Sequence, residues 1–132
     1  MMSQKLNKNW YMGYISSREI DGSIIPQKVQ NLVIRDYSQR FNKNLLLSST
    51  EYKMKNSFLM FNSLISERNN KFNGIIMYSL FMLKEFANIE KILFKLKKNN
   101  IQLFCALEEC EIKNKSDLDS LKKIFYISKI KK

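Results

Sequence analysis

Residues 10–16, WYMGYIS, form a continuous aromatic and aliphatic run, which predicts a buried strand. Asp21-Gly22 marks a turn in the loop that follows, Ser17 to Ile25. Pro26 stands at a first helical position, opening PQKVQNLVIRDYSQRF. Val29, Val33 and Tyr37, with Leu32 and Ile34 beside them, give that helix a broad apolar face, and Asn42 to Asn44 close it. Leu45-Leu46-Leu47 reads as a short second strand, and Ser48 to Glu51 as a polar turn after it. A second helix is expected from about Met54 to Glu67, with Phe58, Phe61, Leu64 and Ile65 inward. Gly74 to Ser79 is the clearest strand, apolar throughout and suited to burial on both faces. A third helix, from about Ala87 to Lys98, uses Ile89, Ile92, Leu93 and Leu96, and Asn99-Asn100 ends it. Ile101 to Leu107 is a fourth strand, and residues 116–127 form a last amphipathic helix on Leu118, Leu121, Ile124 and Phe125.

The order β-α-β-α-β-α-β-α, with short connections, argues for a mainly parallel four-stranded sheet with right-handed crossovers and helices on both faces. The expected fold is one small three-layer α/β/α domain over residues 1–132, with 1–9 and 128–132 as flexible tails. At 132 residues and 45% hydrophobic content the chain can bury a real core, and neither a repeat nor a linker divides it.

Composition removes several chemistries. The chain has no His, which takes away the commonest general base, the Ser-His and Cys-His pairs and most zinc sites. Its two cysteines, Cys105 and Cys110, cannot complete a four-thiolate site, and Cys105 in an apolar run reads as a small buried hydrophobe. No metal and no cofactor is expected. No apolar run approaches the roughly 20 residues of a membrane span, and the N-terminus lacks signal-peptide features, so a cytoplasmic protein is expected. The formal net charge of +11 favours anionic partners, but 19 of the 23 basic residues are Lys, dispersed along the chain. Phosphate or base readout would favour Arg forks, so most of that charge reads as a solvated surface.

In open parallel sheets ligands bind beyond the carboxyl ends of the strands, where strand order reverses. The residues expected there are Ser16, Ser17, Arg18 and Glu19 after the first strand, and Ser48, Ser49, Thr50, Glu51 and Tyr52 after the second. Tyr78 and Ser79 follow the third, and Glu108 and Glu109 the fourth. Gln27, Asn31 and Arg35, spaced i, i+4 and i+8, add one polar stripe along the first helix, and Gln27 lies in its anion-favouring first turn. Arg18 suits a phosphate or carboxylate by bidentate hydrogen bonding. Neither GxGxxG nor a Walker A sequence is present, so dinucleotide or NTP binding of the glycine-loop kind has no support.

Two resemblances add to this. GYISSRE, then PQKVQNL, then the apolar strand and following helix, resemble the catalytic domain of serine recombinases over most of residues 11–108. That likeness implies a resolvase-like strand order, with a flavodoxin-like order as the alternative. Recombinases surround their serine with arginines, some just after the third strand; Ser79 to Lys84 holds none, so the likeness implies fold rather than strand exchange. SSRE with IPQ-VQNLVIRDY, SSTEYKM, GIIMYSLF-L and ALE resemble the short sporadic carbohydrate cluster proteins of bacterial surface-polysaccharide gene clusters, over roughly residues 13–112. That resemblance implies a role in lipopolysaccharide or capsule biosynthesis.

The expectation is therefore a protein that binds an anionic or nucleotide-activated sugar. Ser16, Ser17, Arg18, Gln27, Asn31, Arg35, Ser49 and Ser79 would bind it. If the protein is catalytic, as a metal-independent isomerase, epimerase or lyase, Glu51 or Glu108 is the acid or base and Tyr52 or Tyr78 the partner donor. The alternatives are a resolvase-like nucleic-acid-binding protein without strand exchange, and a non-catalytic partner of a glycan-biosynthesis enzyme. Exposed aromatics such as Trp10, Tyr11 and Phe86 leave room for a homo-oligomer.

Overall fold

The computed structural model describes residues 9–51, 53, 58–66, 72–86 and 88–131. A five-stranded sheet runs in the order β2-β1-β3-β4-β5: β1 Trp10–Ser16, β2 Asn44–Glu51, β3 Gly74–Met77, β4 Gln102–Cys105 and β5 Cys110–Glu111. The first four strands are parallel, and β5 returns antiparallel to β4. Helices α1 Gln27–Arg40, α2 Leu59–Ser66, α3 Ile89–Lys98 and α4 Lys115–Lys131 complete the fold, with a 3-10 segment over Leu80–Glu85.

Two faces of β1 show the three layers. Tyr11 meets Phe104 of β4, which meets Tyr37 of α1. Tyr14, on the opposite face by strand alternation, meets Phe61 of α2. The core is built on both faces: Ile34, Ile75, Ile76, Met77, Leu83 and Phe61 are fully enclosed. Gly74 permits the close fit of β1, β3 and β4. A Cβ there would stand 2.7 Å from the Gln102 carbonyl and 3.1 Å from the Tyr11 ring, which reaches across to bond Gln102 at 3.0 Å.

Helix ends follow local rules without glycine. Asn42 and Asn100 take the left-handed conformation at φ 55° and 56°. Lys43 N–H then bonds the Ser38 carbonyl at 2.7 Å, and Ile101 N–H the Leu96 carbonyl at 2.9 Å, closing both helices with Schellman turns. Asn88 caps α3 by accepting from Lys91 N–H, with Glu90 in the first turn and Lys95, Lys97 and Lys98 in the last. Asn114 and Asp117 cap α4 reciprocally.

Several boundaries differ from the sequence expectation. The polar turn expected over Ser48 to Glu51 is the second half of β2, because hydrogen bonding to β1 continues through Ser16 opposite Glu51. The fourth strand stops at Cys105, and 106–109 turn the chain into a fifth strand. Helix α1 buries Gln30, Ile34, Tyr37 and Ser38; Val29 and Leu32 are exposed, so the inward face is rotated from the apolar one. Residues 54–57 and 67, at the expected ends of the second helix, lie outside the described residues. The last helix runs on to Lys131.

Candidate functional site

Strand order reverses between β1 and β3, since β1 connects to β2 on one side and β3 lies on the other. The carboxyl ends of these strands are therefore where the fold favours a ligand. At the end of β1, Gln30 rises from α1 with its side chain fully buried. Its amide donates to the carbonyls of Ser16 at 2.7 Å and Ile25 at 2.8 Å and accepts from Ser16 N–H at 2.9 Å. This one side chain pins the strand end, the loop and the helix start together. The Ser16 hydroxyl, itself buried, accepts from Arg18 N–H at 3.1 Å and so turns the chain outward at Ser17 and Arg18. The Arg18 guanidinium is half-buried and stands 4.9 Å over the Phe58 ring, which stacks on Phe86.

Both candidate carboxylates hold structure. Glu51 is 1% exposed; Oε1 accepts from the Tyr14 hydroxyl at 2.7 Å and from Phe61 N–H, and Oε2 from Met60 N–H. It thereby satisfies the otherwise unbonded amides at the start of α2, where the helix dipole favours a negative charge. Glu108, in the turn after β4, accepts from the Ser79 hydroxyl at 2.7 Å and from Leu80 N–H at 2.9 Å. Ser79 in turn accepts from Phe81 N–H, capping the 3-10 segment. Tyr78 is buried, and burial, then the nearby Glu108, push its phenol above the usual tyrosine range.

Among the described residues, the cavity beside the end of β1 is small. Ile20 and Met82 pack into it beside Tyr14, Ser16, Arg18 and Glu19, leaving about 10 Å3, which is at most the space of one water. An ion pair between Lys84 and Asp21 at 3.0 Å ties the segment after β3 to the loop after β1.

The structure thus gathers Ser16, Ser17 and Arg18 at one point and places Ser79, Tyr78 and Glu108 at the end of β3. Ser49 lies in β2 opposite Tyr14, half-buried. The stripe of Gln27, Asn31 and Arg35 does not converge on the edge. Eight residues of helix span about 12 Å, and Arg35 is carried down the exposed side of α1. Tyr52 lies outside the described residues. Sequence reasoning passed over Gln30, although its spacing to Ile34 and Tyr37 puts a polar residue on the inward face. A larger cleft, about 390 Å3, opens at the opposite edge of the sheet between the end of α3 and β5, near Lys97, Gln102, Glu111 and Lys113. Among the described residues no three His, Cys, Asp or Glu side chains gather to hold a metal, and no helix is long and apolar enough to cross a membrane.

This is the α/β fold of resolvase catalytic domains. A resolvase family site-specific recombinase from Streptococcus pneumoniae superposes with a TM-score of 0.59 at 13% identity, over 92% of this chain and 89% of that one. The N-terminal catalytic domain of TP901-1 integrase does so with a TM-score of 0.54 at 17% identity, over 91% of this chain and 95% of that one. In sequence, no family model and no curated protein matches the chain significantly.

Proposed function

We propose that this protein binds an anionic or nucleotide-activated sugar of bacterial surface-carbohydrate biosynthesis at the carboxyl edge of its sheet. The observation that carries the reading is Arg18: a half-buried guanidinium, seated on Phe58 and flanked by Ser17, at the strand-order reversal. A guanidinium suits a phosphate or carboxylate by its paired N–H donors, and the contact with Phe58 seats this one at the edge. Binding without turnover is favoured over isomerase, epimerase or lyase chemistry, because Glu51 and Glu108 are committed to backbone amides and hydroxyls. The resemblance of its strings to the sporadic carbohydrate cluster proteins supports the pathway; the cytoplasm is the compartment that fits it.

The test is a thermal-shift panel of sugar phosphates, acidic sugars and nucleotide-linked sugars, with one duplex oligonucleotide. A ligand of the native state at a hundredfold excess over Kd adds about 2.7 kcal/mol of stability. One sugar class should raise the Tm of the native sequence and leave Arg18→Ala unmoved. A shift that survives in Arg18→Ala, or a flat sugar panel, removes the proposal. A duplex shift that fades steeply with salt would instead favour nucleic-acid binding, for which the +11 charge is the supporting observation.

A further inference from the structure

The chain has two cysteines, and the fold sets them face to face: Cys105 in β4 is the direct antiparallel partner of Cys110 in β5. Directly opposed antiparallel residues have Cα atoms about 4.5–5.5 Å apart, with side chains on the same face. A disulfide spans about 4.4–6.8 Å between Cα atoms, so the separation of a directly opposed pair lies within its reach. Packing alone accounts for Cys105, which is fully enclosed in the core. It does not account for a second, half-exposed sulfur placed opposite it.

We propose that Cys105 and Cys110 are an oxidisable dithiol, with Cys110 the attacking thiol and Cys105 the resolving one, that closes to a disulfide by exchange with a small-molecule disulfide. The Cys110 thiolate attacks one sulfur of the small disulfide, forming a mixed disulfide and releasing one thiolate. That thiolate takes the Cys105 proton; Cys105 then attacks the Cys110 sulfur and expels the second thiolate, which is protonated from solvent in place of the proton Cys110 lost. Two protein thiols are oxidised to one protein disulfide, and one small disulfide is reduced to two thiols.

The division of roles follows from access and from acidity. Cys110 is the reachable sulfur. A hydrogen bond from Cys105 holds the Cys110 thiol below the usual thiol range, while the same bond and burial push the Cys105 thiol well above it. The four residues between them form the turn that carries Glu108, whose carboxylate holds Ser79 and Leu80. Oxidation would therefore staple the hairpin that anchors the end of β3, whether or not the edge binds a sugar.

The full chain, incubated with oxidised glutathione, quenched in acid and alkylated in denaturant, reads this out by intact mass. The expected product has lost two hydrogens and takes up no alkyl group, and Cys105→Ser stops at one glutathione on Cys110. A lasting glutathione adduct on the native sequence with Cys105 still alkylatable, a disulfide between two chains, or two thiols that stay reduced would each overturn it. The native-sequence result decides even if the variant fails to fold.

Discussion

Replacing Gln30 by Met tests whether one buried amide holds the end of β1. The side chains are close in volume, so the change removes polarity and leaves packing nearly intact. Three hydrogen bonds go with it, to Ser16 N–H, the Ser16 carbonyl and the Ile25 carbonyl. At a net of about 1 kcal/mol each the loss is about 3 kcal/mol, and the orphaned, buried Ser16 N–H adds its own desolvation cost. That is a large part of the about 5–15 kcal/mol that holds a domain folded. Urea unfolding followed by circular dichroism is the assay. With a slope of about 1–3 kcal/mol per molar urea, the midpoint should fall by about 1–3 M. Gln27→Met, three residues away on the exposed side of the same helix, should stay within about 0.5 kcal/mol of the native sequence. A Gln30→Met midpoint indistinguishable from that of Gln27→Met would refute the account of Gln30 as the pin.

Gly74→Ala should cost about 1–3 kcal/mol in thermal unfolding, because the new Cβ meets a backbone carbonyl of the neighbouring strand that cannot yield without parting β3 from β4. Tyr37, pushed up to about 12 by burial and then by Cys110 and nearby carboxylates, keeps its proton in the folded state after the unfolded chain has lost it. The unfolded state then binds fewer protons, so stability should fall as pH rises from about 10 towards 12; the fall should be shallower for Tyr37→Phe, with the remainder coming from Tyr11 and Tyr78, which are raised as well.

Where the pattern of a segment coincides with its hydrogen bonding, the sequence was readable. β1 carries its full bounds in WYMGYIS, and Asn42 and Asn100 end α1 and α3 by a left-handed turn that Asn tolerates. Where a polar residue is spent on the backbone, the sequence misled. Ser48 to Glu51 look like a turn but belong to an edge strand, which needs no apolar cover on its outer side. Val29 and Leu32 look inward but are exposed, because Gln30 takes the inward position to bond the end of β1. The carboxyl-edge location of Arg18, Ser79 and Glu108 was legible from strand order alone. That Glu51 and Glu108 are occupied was not, since the amides they bond belong to Met60, Phe61 and Leu80, and nothing in one-dimensional spacing marks an amide as unsatisfied.

Among the described residues β2 is the edge strand of the sheet beyond β1, and its pairing slips between Tyr11 and Gly13: Tyr11 faces Leu45, but Gly13 faces Ser48. The extra residue bends the strand where Leu46 and Leu47 stand exposed at 40% and 71%. A straight edge with two bare leucines would be a template for another chain's strand, the first step towards stacked fibrils. The offset breaks the regular ladder such a template requires. At the far edge β5 is two residues long, too short to recruit a partner. Strand length and register therefore work against edge-to-edge association, and deleting one residue between Leu45 and Ser48 should restore a regular ladder and raise light scattering on storage relative to the native sequence.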